Sequence, residues 1–289
     1  MHTRLLWFLF KKCVLILTDN VTHTSTMMAY GTTVVGPALR LDLIALEGVG
    51  DGTNLLLRFN QTNRVGVPLQ NYSMWSTFFF YDNRTSLLYV TIMDRCILQI
   101  WPTNKAILYT GLAFRNCPLN KLYRSTGVMV DSQGNIYIAI LPCNWITKWT
   151  INSSSGVVIV GSLTGSSNSD NKTLFGPYNI ALDEANPYLY VTDRYNNRIQ
   201  RFMLDGSSVA VTVAGVNSAG SAQTQLRQRT DIYLTKSKTK ICICNNFNHR
   251  IQKWNISETV GTTVTGNPNG TAGSSQFSLN RSYSIVMDV

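Results

Sequence analysis

Residues Tyr190 to Phe202 read YVTDRYNNRIQRF, and 52 residues later Cys242 to Trp254 read CICNNFNHRIQKW. A chain that repeats itself at this interval, with strand-forming content and no helical period, is confined to architectures built from like units. Four short strands per repeat, arranged radially, make a β-propeller.

The start of the second strand of each unit fixes the register at Ile16, Tyr89, Tyr137, Tyr190 and Cys242. The last three steps agree closely, and the first is some 20 residues longer. Five registers are therefore recognisable, and residues 37–75 hold an insertion or a degenerate sixth blade. The expected units are 14–36 (partial), 76–111, 125–161, 177–215, 227–266 and a closing strand at 282–289, all within one all-β domain spanning 1–289.

The best-kept unit, 177–215, shows the parts. A first strand ends in Asp183, the turn EANP follows, and LYVTD, RIQRF and VAVTVAG supply three more strands. Turns rich in Asn, Pro and Gly suit hairpins. The fourth strand closes on Gly36, Gly111, Gly161, Gly215 or Gly266, where a backbone leaving the outer edge needs positive φ. First strands such as FFFY, VMV and IYL are continuous apolar runs, the pattern of strands covered on both faces. Aromatic residues ending the third strand (Trp101, Trp149, Phe202 and Trp254) are expected to pack between blades. Residues 14–36 resemble second to fourth strands and residues 282–289 a first strand, so both termini are expected to build one composite blade that removes open edges.

The RIQRF and RIQKW strands follow Asp193 or Asn245 and an Asn-rich loop. In these features the chain resembles the NHL-repeat propellers. The resemblance is strongest over 177–266, weaker over 76–161, and weakest before residue 75. It implies a propeller, commonly six-bladed, without fixing a use. NHL-type propellers serve as extracellular protein- or ligand-binding platforms, as substrate- or RNA-binding modules of TRIM-type ubiquitin ligases, and as enzymes such as amidoglycolate lyases or lactonase-like hydrolases.

Chemistry-bearing residues weigh against the enzymes. The chain has three histidines, His2, His23 and His249, and no G-x-S-x-G elbow. Its six cysteines form no C-x-x-C pair, so a zinc-finger site is not expected. No cofactor, metal or catalytic residue is assigned.

Net charge is +10, but the cations are scattered. By strand order, the loops between second and third strands share a face with the linkers between blades. That face is expected to present Trp145, Arg194, Tyr195, Arg198, Phe247, His249 and Arg250. Cations mixed with aromatics suit protein or glycan partners and also single-stranded RNA. Asp193 and Arg198, flanking the loop RYNN, are expected to pair across the hairpin.

Nine Asn-x-Ser/Thr sequons, with Asn83, Asn152 and Asn255 as glycosylation candidates, favour an extracellular or secretory glycoprotein over a cytoplasmic protein. They rank protein or glycan binding above RNA. Lys11 and Lys12 split the apolar N-terminal run, and no stretch is long enough to insert in a membrane. A monomer is expected.

Overall fold

The computed structural model describes residues 13–18, 45–48, 55–58, 77–82, 84, 85, 87–92, 97–101 and 117–288, apart from 123, 206, 208, 229 and 275–277. Every named element is a strand or a single 3-10 turn. No helix is long and apolar enough to cross a membrane among the described residues.

Three four-stranded antiparallel sheets carry the repeat. The first runs β7 (Ser125–Val130), β8 (Ile136–Ile140), β9 (Trp145–Trp149) and β10 (Val157–Gly161); the second runs β11 (Pro177–Asp183), β12 (Tyr188–Asp193), β13 (Arg198–Met203) and β14 (Val211–Gly215). The third runs β15 (Thr230–Leu234), β16 (Lys240–Asn245), β17 (Arg250–Asn255) and β18 (Thr262–Gly266). Before them, β4 (Thr77–Asp82), β5 (Leu87–Ile92) and β6 (Ile97–Trp101) form the described part of a preceding blade. A two-stranded hairpin, β2 (Ala45–Gly48) with β3 (Leu55–Arg58), lies within 37–75. The remainder of 14–36 and of 37–75, and the fourth strand expected near 107–110, fall outside the described residues.

A lone blade could bury neither face, and side-chain alternation shows how the ring solves this. Along β8, Ile136, Ile138 and Ile140 enter one core with Tyr89 and Val128, while Tyr137 and Ala139 enter the next core with Ile180 and Leu182. Along β16, Ile241 and Ile243 pack with Ala181 and Tyr190, while Cys242 and Cys244 pack with Leu279 and Ile285. Each strand thus feeds two inter-blade cores. Trp149, Phe202 and Trp254 sit in these cores almost fully buried.

First strands are neighbours around the ring in the order β4, β7, β11, β15, then β19 (Ser282–Asp288). Thr126 Oγ1 donates to the Pro177 carbonyl at 3.2 Å, Asn179 Nδ2 donates to Asp231 Oδ1, and the Ile285 backbone amide donates to Asp231 Oδ2 at 2.9 Å. Phe78 and Tyr178, from first strands two blades apart, meet edge to face at 4.8 Å between ring centroids.

The two ends of the chain meet in one sheet, where β1 (Cys13–Thr18) pairs with β19. The pair runs parallel, whereas β11 and β12 run antiparallel. A tight hairpin forces the strands it joins to run antiparallel. None joins β1 to β19, so their direction is set by packing.

Candidate binding face

The hairpin between second and third strands has one construction in all three complete blades. A single 3-10 turn, at Leu141–Cys143, Arg194–Asn196 or Asn246–Asn248, is followed by a left-handed residue: Asn144, Asn197 or His249, with φ of 56°, 52° and 50°. Asn tolerates this conformation better than most residues.

That left-handed residue latches the next blade. Asn144 Oδ1 accepts from the Gly176 amide at 2.8 Å, Asn197 Oδ1 from the Gln228 amide at 2.9 Å, and His249 Nδ1 from the Arg281 amide at 3.0 Å. The three donors stand at the ends of successive linkers. Burial, then the nearby Arg281 and Arg227 charges, hold His249 below its ordinary pKa, which keeps the accepting nitrogen unprotonated.

The residue before the left-handed position fastens the blade's own incoming linker. Asn196 donates to the Asn168 carbonyl at 2.7 Å, and Asn248 to the Gly220 carbonyl at 2.5 Å. In the first complete blade this position is Cys143, and its linker partner is Cys117 through a disulfide. A covalent bond there replaces an amide–carbonyl hydrogen bond. Sequence reasoning left the pairing open because nothing local links two cysteines 26 residues apart.

The arginines that open β13 and β17 share this task. Arg198 Nε lies 2.8 Å from Asp193, Nη1 donates to the Ser169 carbonyl at 2.9 Å, and Nη2 donates to the Asp170 carbonyl. Arg250 donates to the carbonyls of Ser221 at 2.6 Å, Ala222 at 2.7 Å, Gln225 at 3.1 Å and Pro268. Asn245, where the preceding blade has Asp193, instead donates to Gln252 Oε1 at 2.9 Å. Burial accordingly lowers the pKa of Arg250. Burial likewise pushes the Asp193 carboxyl up, against the lowering by the Phe175 amide, Asn196 and Arg198.

These contacts correct the expected face. Arg198, Arg250 and Trp145 are 3%, 0% and 4% exposed, so none can meet a partner without unfolding its linker or its core. The other four residues remain near the surface. Tyr195 is exposed and packs against Phe175 at 4.7 Å between ring centroids, with Arg194 lying 4.6 Å from the Tyr195 ring and 5.4 Å from that of Tyr178. A Cβ at Gly176 would collide with the Tyr195 ring, so the absence of a side chain there seats the tyrosine. Phe247 is half-buried beneath Arg281 at 5.1 Å, beside half-buried His249.

Phe175 and Arg281 join the face without having been singled out in the sequence, whereas Tyr178, beneath Arg194, is buried. Phe175 lies in the linker just before Gly176, a segment legible only as a connector. Exposed Lys121, Arg124, Arg227 and Arg281 lie on the linkers. The exposed Asp170 is held below the usual carboxylate range by the Lys172 amide and the Thr173 hydroxyl. Asn83 falls outside the described residues. Asn152 is exposed in a turn after β9, and Asn255 is half-buried at the end of β17. Among the described residues, no three of His, Cys, Asp and Glu are grouped to hold a metal ion. A polar recess of about 320 Å³ is lined by Ala219, Gly220, Ser221, Arg227, Asn248, Asn269 and Gly270.

A solved protein of unknown function from Bacteroides thetaiotaomicron superposes on 84% of this chain and 61% of its own, with TM-score 0.60 and 13% identity. The fold is a β-propeller. An auxiliary nutrient binding protein from the same organism covers 83% of this chain and 60% of its own, with TM-score 0.56 and 12% identity. In sequence, the peptidylglycine alpha-amidating monooxygenase of Rattus norvegicus is 26% identical over 164 residues, 56% of this chain. The match spans only 16% of that relative. No family model matches the chain.

Proposed function

We propose that this chain is a non-catalytic NHL-type propeller that binds an acidic protein or glycan in an extracellular or secretory setting. The observation that carries the reading is the Phe175–Tyr195 pair, both rings about 40% exposed and flanked by Arg194. Exposed aromatics held rigid by packing, with a cation alongside, are the composition of binding hot spots. The surrounding linkers add Arg227, Arg124 and Lys121, which favours a partner with negative charge. The Cys117–Cys143 disulfide supports the setting, because disulfides persist in oxidising compartments.

The test is a binding screen against acidic glycans and extracellular proteins, repeated with Tyr195→Ala and Phe175→Ala. Loss of at least about 1 kcal/mol of binding by either variant, with an unchanged melt, supports the face. Retained binding by both variants moves the site elsewhere. If the partner is RNA, log affinity falls steeply and linearly with log salt.

A catalytic reading draws on the match to the amidating monooxygenases. Cleavage of a peptide ending in α-hydroxyglycine to the peptide amide and glyoxylate, the reaction of an amidoglycolate lyase, by the purified chain would favour it.

A further inference from the structure

The loop after β18 runs Asn267-Pro268-Asn269-Gly270-Thr271, and its last three residues form a sequon. Asn269 and Thr271 are exposed. Asn269 Oδ1 accepts two hydrogen bonds from Thr271, one from its amide at 3.0 Å and one from its hydroxyl at 2.8 Å. Both bonds lie within residues 269–271, so the turn is open to the chain before it folds, and it holds the hydroxyl of the sequon against the side-chain amide of its asparagine, with both bonds on the oxygen. Gly270 makes this turn, with φ of +81°. Two other sequons are arranged differently. The Thr173 hydroxyl in Asn171-Lys172-Thr173 donates to Asp170 instead, and Asn255 is half-buried in a paired strand.

The disulfide is an independent observation pointing to the same compartment. A chain that forms Cys117–Cys143 during folding does so where thiols are oxidised, and in eukaryotic cells N-linked sugars are added along that route.

From these we infer that Asn269 is an N-glycosylation site. In the reaction Asn269 Nδ2 forms a bond to the anomeric carbon of a lipid-linked oligosaccharide pyrophosphate. The bond from that carbon to the pyrophosphate oxygen breaks, the lipid pyrophosphate leaves with the electron pair, and the amide proton passes to base. The sugar stands at the rim of the polar recess, whose wall includes Asn248, next in sequence to Phe247. The inference is independent of the binding reading, since occupancy at Asn269 does not require Tyr195 to contact anything.

The test is expression of the full chain behind a secretory leader in eukaryotic cells, followed by enzymatic deglycosylation in heavy-oxygen water and peptide mass spectrometry. Secreted and retained fractions are both read, because attachment does not await correct folding. The expected result is label at Asn269 in the parent chain and in Thr271→Ser, and none in Thr271→Ala. An unlabelled Asn269 in the parent chain, or label persisting in Thr271→Ala, would overturn the assignment.

Discussion

Asp193 and Arg198 face each other as the last residue of β12 and the first of β13, and their side chains form a 2.8 Å salt bridge while 0% and 3% exposed. The pair is a structural pin. Its carboxylate also accepts from the Phe175 amide at 2.7 Å and from Asn196 at 2.9 Å, and its guanidinium holds the preceding linker. Removing one partner leaves a buried charge uncompensated, at a cost of about 3 to 5 kcal/mol. We expect Asp193→Ala and Arg198→Ala to be that damaging singly and non-additive together, with a coupling of at least about 1 kcal/mol in denaturant titrations. Additive losses would show that the two side chains act separately. The preceding blade places Ile140 and Trp145 at these positions, both buried, as expected where an ion pair and an apolar pair are alternative solutions.

The disulfide does covalently what Asn196 and Asn248 do by hydrogen bonding. Closing a loop with 26 residues of separation removes about 3 kcal/mol worth of unfolded-state freedom. Reduction, or Cys117→Ser with Cys143→Ser, is expected to lower stability by about that amount. Calorimetry with and without reductant measures it. An unchanged melt would show that the linker is held without the bond.

His249 makes stability depend on pH. Its Nδ1 accepts from the Arg281 amide, so protonation breaks the latch, and its folded pKa lies below the ordinary 6.5. A lowered folded pKa means a contribution fully present above about 6.5 and lost as pH falls through the folded value. His249→Asn, which restores the residue found at 144 and 197, is expected to flatten this part of the stability profile between pH 7 and 5. Parallel curves for the two proteins would remove His249 as the cause.

Gly215 ends β14 at φ +82°, and a Cβ there would strike the Asn197 carbonyl oxygen and lie 2.8 Å from Arg198 Cα. Both elements of that contact are backbone, so nothing nearby can rotate away. Gly215→Ala is expected to cost roughly 2 kcal/mol or more, from the strained φ together with the collision. A thermal melt reads it directly. A change within about 0.5 kcal/mol would mean that β14 shifts freely against the hairpin.

Much of this architecture was legible in the chain because a repeat displays its strand order in covalent sequence. The strand sequences ending at Asp183, Asp193 and Gly215, the both-sided burial of a first strand such as β11, and the aromatic plugs Trp149 and Trp254 follow from continuous apolar runs, turn chemistry and a 52-residue period. The candidate face was legible only in part. Tyr195 and Arg194 are where loop position puts them, whereas Arg198 and Arg250 share their loop chemistry and point inward.

Local sequence by itself determined that this chain makes blades, since hairpins, left-handed Asn and terminal Gly are settled by residues a few positions apart. Tertiary structure alone decided which cations reach solvent, which cysteines join, and that β1 runs parallel to β19. Each of these depends on segments far apart in sequence meeting across a linker or around the ring. Arg198 is buried because carbonyls 28 and 29 residues earlier arrive to accept its hydrogen bonds. Nothing within its own hairpin supplies them.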